Sequence, residues 1–272
     1  MMHGLQEKII GLAALAVVAL PVSATWANNV PISLTSGSFN ENMVVGSNGD
    51  YSDLTATMDS GQALNIDQYT WYEIGLNTSY PTSGLPMGTT FTSGSNSATS
   101  FTLQTAGTAV DNTALIIAGG DPGPTSATLT LAAPAAYSTL ALLVGSGGST
   151  TMQYTINFQG GGTQVGDFAA PDWFGVSSPA AYVAHGRVDA FGNFDQLGNP
   201  TAPALAEVDI TVSSSLPITS IALVNANPGT ANARTAVFAL SGAPVPEPAS
   251  LAVLAVASGA LLLLRRQRRV GQ

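Results

Sequence analysis

The stretch Thr151-Met152-Gln153-Tyr154-Thr155-Ile156-Asn157-Phe158 decides the fold class. Apolar and polar side chains alternate in it without a break, and a period of two predicts a β-strand with one buried and one solvated face. Gly160-Gly161-Gly162 follows, and glycines of this kind favour a tight turn. We therefore expect a hairpin whose second strand covers Thr163 to Phe168.

The same signals recur through the middle of the chain. Thr125 to Leu131 and Glu207 to Val212 alternate in the same way, which predicts half-buried strands. Three continuous apolar runs predict central strands buried on both sides or facing a core: Ala114 to Ala118, Thr139 to Val144 and Ile218 to Val224. Loops rich in Gly, Ser, Thr and Asn separate them, so we expect an all-β protein built as a two-sheet sandwich. A short helix near Ala180 to Ala184 is the one helical alternative in this region.

The N-terminal end has the pattern of a secretory signal peptide. Met1 to Lys8 is a short polar start with one lysine, and Ile9 to Val22 is an apolar run. Small residues precede Ala24 and Ala27, as a cleavage site requires. We place the cut after Ala27, with Ala24 as the alternative, so that a signal peptide helix occupies residues 1–27.

The C-terminal end combines three features in a fixed order. Val245-Pro246-Glu247-Pro248 should be extended, because proline lacks a backbone donor and fixes φ. The apolar run from Ala249 to Leu264 holds 16 residues, which as a helix would span ~24 Å, short of a ~30 Å bilayer core. Arg265, Arg266, Arg268 and Arg269 follow and favour the cytoplasmic side, which leaves the rest of the chain outside. The pattern predicts a short C-terminal transmembrane helix, and a plain membrane anchor is one alternative interpretation, although 16 residues are marginal for a permanent anchor.

This order of features resembles the PEP-CTERM sorting signal. The resemblance implies that an exosortase recognises the Pro-Glu-Pro motif, that the segment 244–272 lies in the membrane only during sorting, and that it is then removed. It also implies delivery to the cell surface or to the polysaccharide matrix of a biofilm. Gly242 to Pro244 would be a short linker from the last strand, Thr235 to Leu240.

The region between the two ends, residues 28–243, resembles secreted modules with a galactose-binding-like fold. The resemblance rests on these stretches: Ser38-Phe39-Asn40, Met43-Val44-Val45, Leu129-Thr130-Leu131, Pro134-Ala135-Ala136-Tyr137, Pro171-Asp172-Trp173-Phe174, Gly186-Arg187-Val188, Glu207-Val208-Asp209-Ile210-Thr211 and Phe238-Ala239-Leu240-Ser241-Gly242. It implies a jelly-roll-like β-sandwich in an extracellular setting. It supplies no catalytic residue, and sugar binding follows from it only by analogy of fold.

Charge and cysteine content exclude several function classes. Of the seven basic residues only Arg187 and Arg234 lie between the two ends, whereas fourteen of the sixteen acidic residues do, all except Glu7 and Glu247. Nucleic acid is therefore excluded as a partner, since phosphate binding needs a basic surface. The chain has no cysteine, so stability must come from core burial and strand pairing, and thiol catalysis is ruled out.

The sequence offers no convincing catalytic group, and we expect a non-enzymatic module. His185 is the sole histidine of residues 28–243 and no Gly-x-Ser-x-Gly motif accompanies it. Glu207 and Asp209 share one strand face, where a solvated position is expected. The rival function is a secreted glycoside hydrolase with two acidic catalytic residues, which would need a cleft that gathers two carboxylates.

Sugar recognition would use exposed aromatic faces beside polar groups. Trp71 and Tyr72, with Tyr69 and Tyr80 nearby, are one candidate platform, and Asp172 with Trp173 is another. Strand alternation places Tyr69 and Trp71 on one face and Tyr72 on the other, so one of these faces should be core. Pro-Asp-Trp-Phe also fits a buried corner.

Two acidic loops are candidates for calcium. One is Asn48-Gly49-Asp50 together with Asp53, and the other contains Asp189, Asn193 and Asp195 around Gly192. Their oxygen atoms suit calcium, although neither loop matches an EF-hand. Asp and Asn also form turns without any metal, which is the interpretation we favour.

Overall fold

The computed structural model describes residues 28–59, 68–106, 112–119, 123–189, 191–196, 202–227 and 234–245. Within these ranges the protein is all-β and contains no helix. None of these residues therefore forms a helix long and apolar enough to cross a bilayer. The predicted signal peptide helix and all of the predicted C-terminal transmembrane helix lie outside the described residues.

The described residues form sixteen strands. In chain order they are β1 (Val30–Pro31), β2 (Val44–Val45), β3 (Trp71–Tyr72), β4 (Thr90–Thr92), β5 (Ser100–Thr102), β6 (Leu115–Ile117), β7 (Ser126–Ala135), β8 (Tyr137–Ser146), β9 (Thr150–Phe158), β10 (Thr163–Ala170), β11 (Tyr182–Val183), β12 (Gly186–Val188), β13 (Phe194–Gln196), β14 (Ala204–Thr211), β15 (Ile218–Asn225) and β16 (Thr235–Pro244).

The predicted hairpin is confirmed. β9 and β10 pair antiparallel from Thr163 opposite Asn157 to Ala170 opposite Thr150. Between them Gly160, Gly161 and Gly162 have φ values of 85°, 103° and 88°. Side chains rarely adopt such angles, so the three glycines are what permits so tight a reversal.

Two sheets pack face to face as a β-sandwich. The larger has the order β1–β16–β8–β14–β11, with β6 also paired to β16, and the smaller has the order β10–β9–β15–β7. Between them lies one core, to which Leu129, Leu142, Ile156, Ile210 and Ile221 contribute. Leu129, Ile156 and Ile210 are inward residues of alternating strands, as the period of two predicts. Leu142 and Ile221 come from the continuous apolar runs.

A second core covers the other face of the larger sheet. It joins residues of β3, β5 and the 173–184 segment to β8 and β16, and includes Trp71, Phe101, Trp173, Leu143 and Phe238. β8 is consequently buried from Leu140 to Ser146 and β16 from Thr235 to Ala243. These runs are mostly apolar because neither of their faces meets water, and their polar members Ser146, Thr235 and Ser241 are buried with them.

Two local expectations were wrong. Around Ala180 to Ala184 the chain forms β11, which pairs with β14, so no helix is present there. Gly242 to Pro244 continue β16 and pair with β8. Glycine fits there because a Cβ on Gly242 would lie 2.7 Å from the Tyr137 ring and 2.9 Å from the Ile32 side chain. The segment that the composition indicated as a linker is therefore a closely packed part of β16.

Candidate functional site

The proposed aromatic platforms are buried, and this corrects both candidates. Trp71 and Tyr72 are completely buried and Trp173 is 2% exposed. Trp71 meets the Trp173 ring edge-to-face, with ring centroids 4.9 Å apart, and Phe238 at 5.9 Å. Aromatic edges of this kind stabilise a core, and no ring face among these three is open to a sugar.

Strand alternation correctly predicts which of these rings lie on the same side of the strand. Trp71 and the partly buried Tyr69 belong to the core on the larger sheet, whereas Tyr72 packs on Phe194 at 5.1 Å in a small separate cluster. The prediction that Tyr72 faces away from Trp71 is confirmed. Tyr80 is 53% exposed and is the one ring of the first candidate platform that solvent reaches well.

Asp172, the polar member of the second platform, holds a turn. Its Oδ1 accepts a hydrogen bond of 2.8 Å from the backbone N–H of Phe174, and its carbonyl accepts one from Gly175. The Ser149 hydroxyl in turn accepts a bond from the Asp172 N–H. The Pro-Asp-Trp-Phe stretch is thus the buried corner that its composition allowed.

Arg187 is the centre of a charged and aromatic cluster that sequence reasoning missed. Its guanidinium carbon lies 3.9 Å from the ring centroid of Tyr69 and 4.8 Å from that of Phe174. Nε and Nη2 both donate to Asp195 Oδ2, at 3.0 and 2.9 Å, and Nη1 lies 3.5 Å from Asp59 Oδ2. The available signal was its rarity, since it is one of two arginines left between the ends.

The Arg187 cluster joins three separate parts of the chain. Asp59 Oδ2 also accepts the Tyr69 N–H, so the carboxylate ties this segment to β12. Burial raises the pKa of Asp59, and the charge of Asp172 adds to the rise, while the Tyr69 N–H and Arg187 oppose it. The charged groups of the Arg187 cluster pair with one another. The cluster therefore holds the second core against β12 and β13.

The first acidic loop uses its oxygens in turns. Asn48 Oδ1 accepts the Asp50 N–H at 3.1 Å, and Asp50 Oδ1 accepts the hydroxyl of Ser52 at 2.6 Å and its N–H at 2.9 Å. These bonds lower the pKa of Asp50. Asp53 offers its backbone carbonyl to the Asn42 side chain.

The second acidic loop divides between a turn and the Arg187 cluster. Asp189 Oδ1 accepts the N–H groups of Phe191 and Asn193, and its Oδ2 accepts the Asn193 amide. Burial opposes ionisation of Asp189, but the bonds from Asn193 and Phe191 prevail and lower its pKa. Asp195 is turned to Arg187 across the β12–β13 pair.

In the ranges that the structure describes, no three His, Cys, Asp or Glu side chains converge as metal ligands. The second loop does not bring Asp189 and Asp195 together as a pair of ligands, because their partners differ. The hydrogen bonds in both loops match the turn interpretation. Calcium binding stays a prediction.

Glu207 and Asp209 form a carboxyl pair on β14, in which the pKa of Asp209 is raised. Partial burial, the Glu207 charge and a hydrogen bond to Glu207 raise the pKa of Asp209 to about 6. Glu207 also accepts bonds from the Ser95 hydroxyl at 3.1 Å and the Asn96 amide at 3.2 Å. Glu207 therefore holds the 93–99 loop against β14, a contact that strand spacing alone could not predict.

A shallow groove of about 310 Å³ runs beside Glu207. Its other walls are mostly small or apolar, including Ala169, Pro171, Val176 and Pro179. Glycoside hydrolysis needs two carboxyl groups ~5–9.5 Å apart on opposite sides of a bond. Glu207 and Asp209 are hydrogen-bonded neighbours on one strand face, which is a different geometry.

The described residues next to the two predicted processing positions lie at the same end of the sandwich. Val30 pairs with Gly242 near the finish of β16, and the Val245 N–H still donates to the Ala136 carbonyl at 3.0 Å. The chain is thus held in the fold up to the first residue of Val-Pro-Glu-Pro. Pro246, Glu247, Pro248 and the arginines of the stop lie outside the described residues.

The chain matches no protein-family model and no curated protein.

Proposed function

We propose that this protein is exported, processed by an exosortase at Val245-Pro246-Glu247-Pro248, and retained at the cell surface or in an extracellular polysaccharide matrix. Its β-sandwich, which we take to be jelly-roll-like, acts as a binding or structural module and not as an enzyme. Its partners are then the exosortase, the membrane during sorting, and the surrounding polysaccharide. Nucleic acid is not among them.

The observation that carries this proposal is the position of the last strand. β16 is bonded on both sides, to β8 and to β1 and β6, and it ends at Pro244. An enzyme that cuts beyond this point removes nothing from either core. β1 begins at Val30, close behind the expected cut after Ala27, so removal of the signal peptide spares the fold as well.

The side chains also support a non-catalytic role. The carboxylates of Asp59, Asp189 and Asp195 are engaged in turns or ion pairs, and Glu207 and Asp209 are engaged with each other. Polysaccharide remains the expected surrounding of the processed protein on the strength of the sorting resemblance. The aromatic side chains that were candidates for direct sugar binding, Trp71, Tyr72 and Trp173, are buried.

The test is the mass of the protein recovered from cells that contain an exosortase. The wild type should lack residues 1–27 and the apolar tail. A variant with Pro246→Ala, Glu247→Gln and Pro248→Ala should keep the tail and remain with the membrane fraction, because the extended acidic motif is gone.

The matched control is Asp167→Asn, which removes one exposed acidic charge from β10 and leaves the motif unchanged. It should be processed like the wild type. A wild-type protein that keeps its tail would mean a plain membrane anchor, and a triple variant cut as efficiently as wild type would refute recognition of Pro-Glu-Pro.

A further inference from the structure

The end of the sandwich at which the described chain begins and finishes carries no charged side chain. It is formed by residues 28–32, 132–138, 159–163, 211–217 and 243–245, which the strand register brings together. None of them is Asp, Glu, Lys or Arg. The whole chain has a net charge of −9, so an end surface without acidic residues differs from the rest of the protein.

Apolar side chains are exposed at this end. Leu216 is 47% exposed and Val30 is 44% exposed, and Ala132, Ala133 and Pro134 lie open beside them. Nine of the remaining positions are serine, threonine or glycine, and the others are apolar residues, tyrosine, asparagine or glutamine. Moving such a surface out of bulk water costs little free energy, because none of its side chains is an ion that must be desolvated.

The acids on the described strands that reach this end lie along the sides of the sandwich. Asp209 is two residues above Thr211 on β14, and Asp167 is four residues above Thr163 on β10. At ~3.3 Å per residue the two carboxylates stand roughly 7 and 13 Å back from the strand ends. The layer without charged side chains is therefore about as deep as the Debye length at physiological salt, ~8 Å, the distance over which salt screens a charge.

The sequence beyond the described residues limits how far this end can move from a bilayer. The apolar run begins at Ala249, four residues after Val245. Four extended residues reach at most ~14 Å. While the run is in hydrocarbon, the uncharged end is the part of the sandwich closest to the lipid.

We propose that this uncharged end rests on the lipid headgroups while the chain still carries its apolar tail, with Leu216 and Val30 at the contact. The inference rests on the proposed function, since it requires the tail to enter a membrane. The acidic sides are thereby turned away from anionic lipid, which would repel them. The Pro-Glu-Pro motif is then held at the membrane surface, where a membrane-embedded protease can reach it.

The test uses the full 272-residue chain in vesicles that contain anionic lipid and no other protein. The chain has no cysteine, so single cysteines can carry an environment-sensitive fluorophore at chosen positions. Leu216→Cys is the probe. Val224→Cys is its matched control, because Val224 is 40% exposed and lies eight residues farther along the same segment, ~26 Å towards the opposite end.

Lipids with a quencher on the headgroup should quench the label at position 216 several-fold more than the label at 224. Ala133→Cys, at a second exposed position of the same end, should behave like Leu216→Cys and shows that the result does not depend on the leucine itself. Flotation of the vesicles measures attachment of the chain separately.

The outcomes separate the two proposals. Chains that float with vesicles but show equal quenching at 216 and 224 would overturn the orientation and leave the sorting function standing. Chains that do not float would overturn both. Quenching at 216 that appears only after the exosortase is added would assign the surface to a protein partner instead of lipid.

Discussion

Replacing Asp209 by asparagine should stabilise the protein above neutral pH and change little in acid. The pKa of Asp209 is raised to about 6 from an ordinary 3.8, through partial burial and the neighbouring Glu207. A group with a raised pKa in the folded state takes up its proton more readily there than in the unfolded chain. Its stabilising effect is complete below its ordinary pKa and is lost as the pH rises through about 6.

The size of the effect follows from the shift and the exposure. A shift of this size corresponds to an upper limit of ~3 kcal/mol. More than a third of Asp209 is exposed, and solvent screening reduces such interactions to ~1 kcal/mol or less. An asparagine at 209 keeps a donor for the Glu207 carboxylate and removes the repulsion.

The assay is urea unfolding of the processed protein at about pH 4.5 and about pH 8. The free energy of unfolding of Asp209→Asn should exceed that of wild type by up to ~1 kcal/mol at the higher pH, and the gain should shrink in acid. Asp167→Asn controls for the general benefit of removing one acid from an acidic protein.

The comparison between variant and wild type matters because other acids also titrate. Burial raises the pKa of Asp59, whereas the pKa values of Asp50 and Asp189 are lowered. The pH profile of the wild type alone therefore mixes opposite signs. A gain for Asp209→Asn that equals the gain for the control, or that does not vary with pH, would refute the raised pKa of Asp209.

Three further predictions concern the cores and the loops. Trp71→Ala should lower the free energy of unfolding by ~3–5 kcal/mol, whereas Tyr80→Ala at an exposed ring should change it by ~0.5 kcal/mol or less; equal effects in urea unfolding would contradict the burial of Trp71. Arg187→Met should cost ~3 kcal/mol by leaving Asp59 and Asp195 without their cation, and Arg187→Lys should recover only part of this because it cannot stack and fork in the same way; a neutral Arg187→Met in thermal unfolding would show that the cluster is dispensable. Addition of a chelator should leave the melting temperature unchanged, because the carboxylates of Asp50, Asp189 and Asp195 already have partners; a lower melting temperature would establish a bound cation.

Local pattern was sufficient for the strands whose surroundings repeat along the chain. The β9–β10 hairpin follows from alternation and three glycines, because both are properties of neighbouring residues. The inward residues of β7, such as Leu129, follow for the same reason. Pattern failed at Gly242 to Pro244, where glycine and proline indicated a linker although the residues close the central strand.

The fate of the aromatic residues depended on distant parts of the chain. Alternation separated Trp71 from Tyr72, but it could not show that both faces are covered. The Trp71 face is covered by Trp173 and Phe238, which lie far away in sequence. Arg187 likewise acquires its meaning from Tyr69, Asp59 and Asp195, which strand pairing and the second core bring to it.

The sequence by itself determined that this chain is all-β and acidic, and it alone carries the signals that predict export and processing, because periodicity, composition and short motifs are local properties. Tertiary structure alone decided which faces of the larger sheet are buried, which side chains surround Arg187, and that the described chain begins and finishes at one end of the sandwich, which has no charged side chain. These depend on contacts between residues far apart in the chain, and only the register of paired strands fixes such contacts.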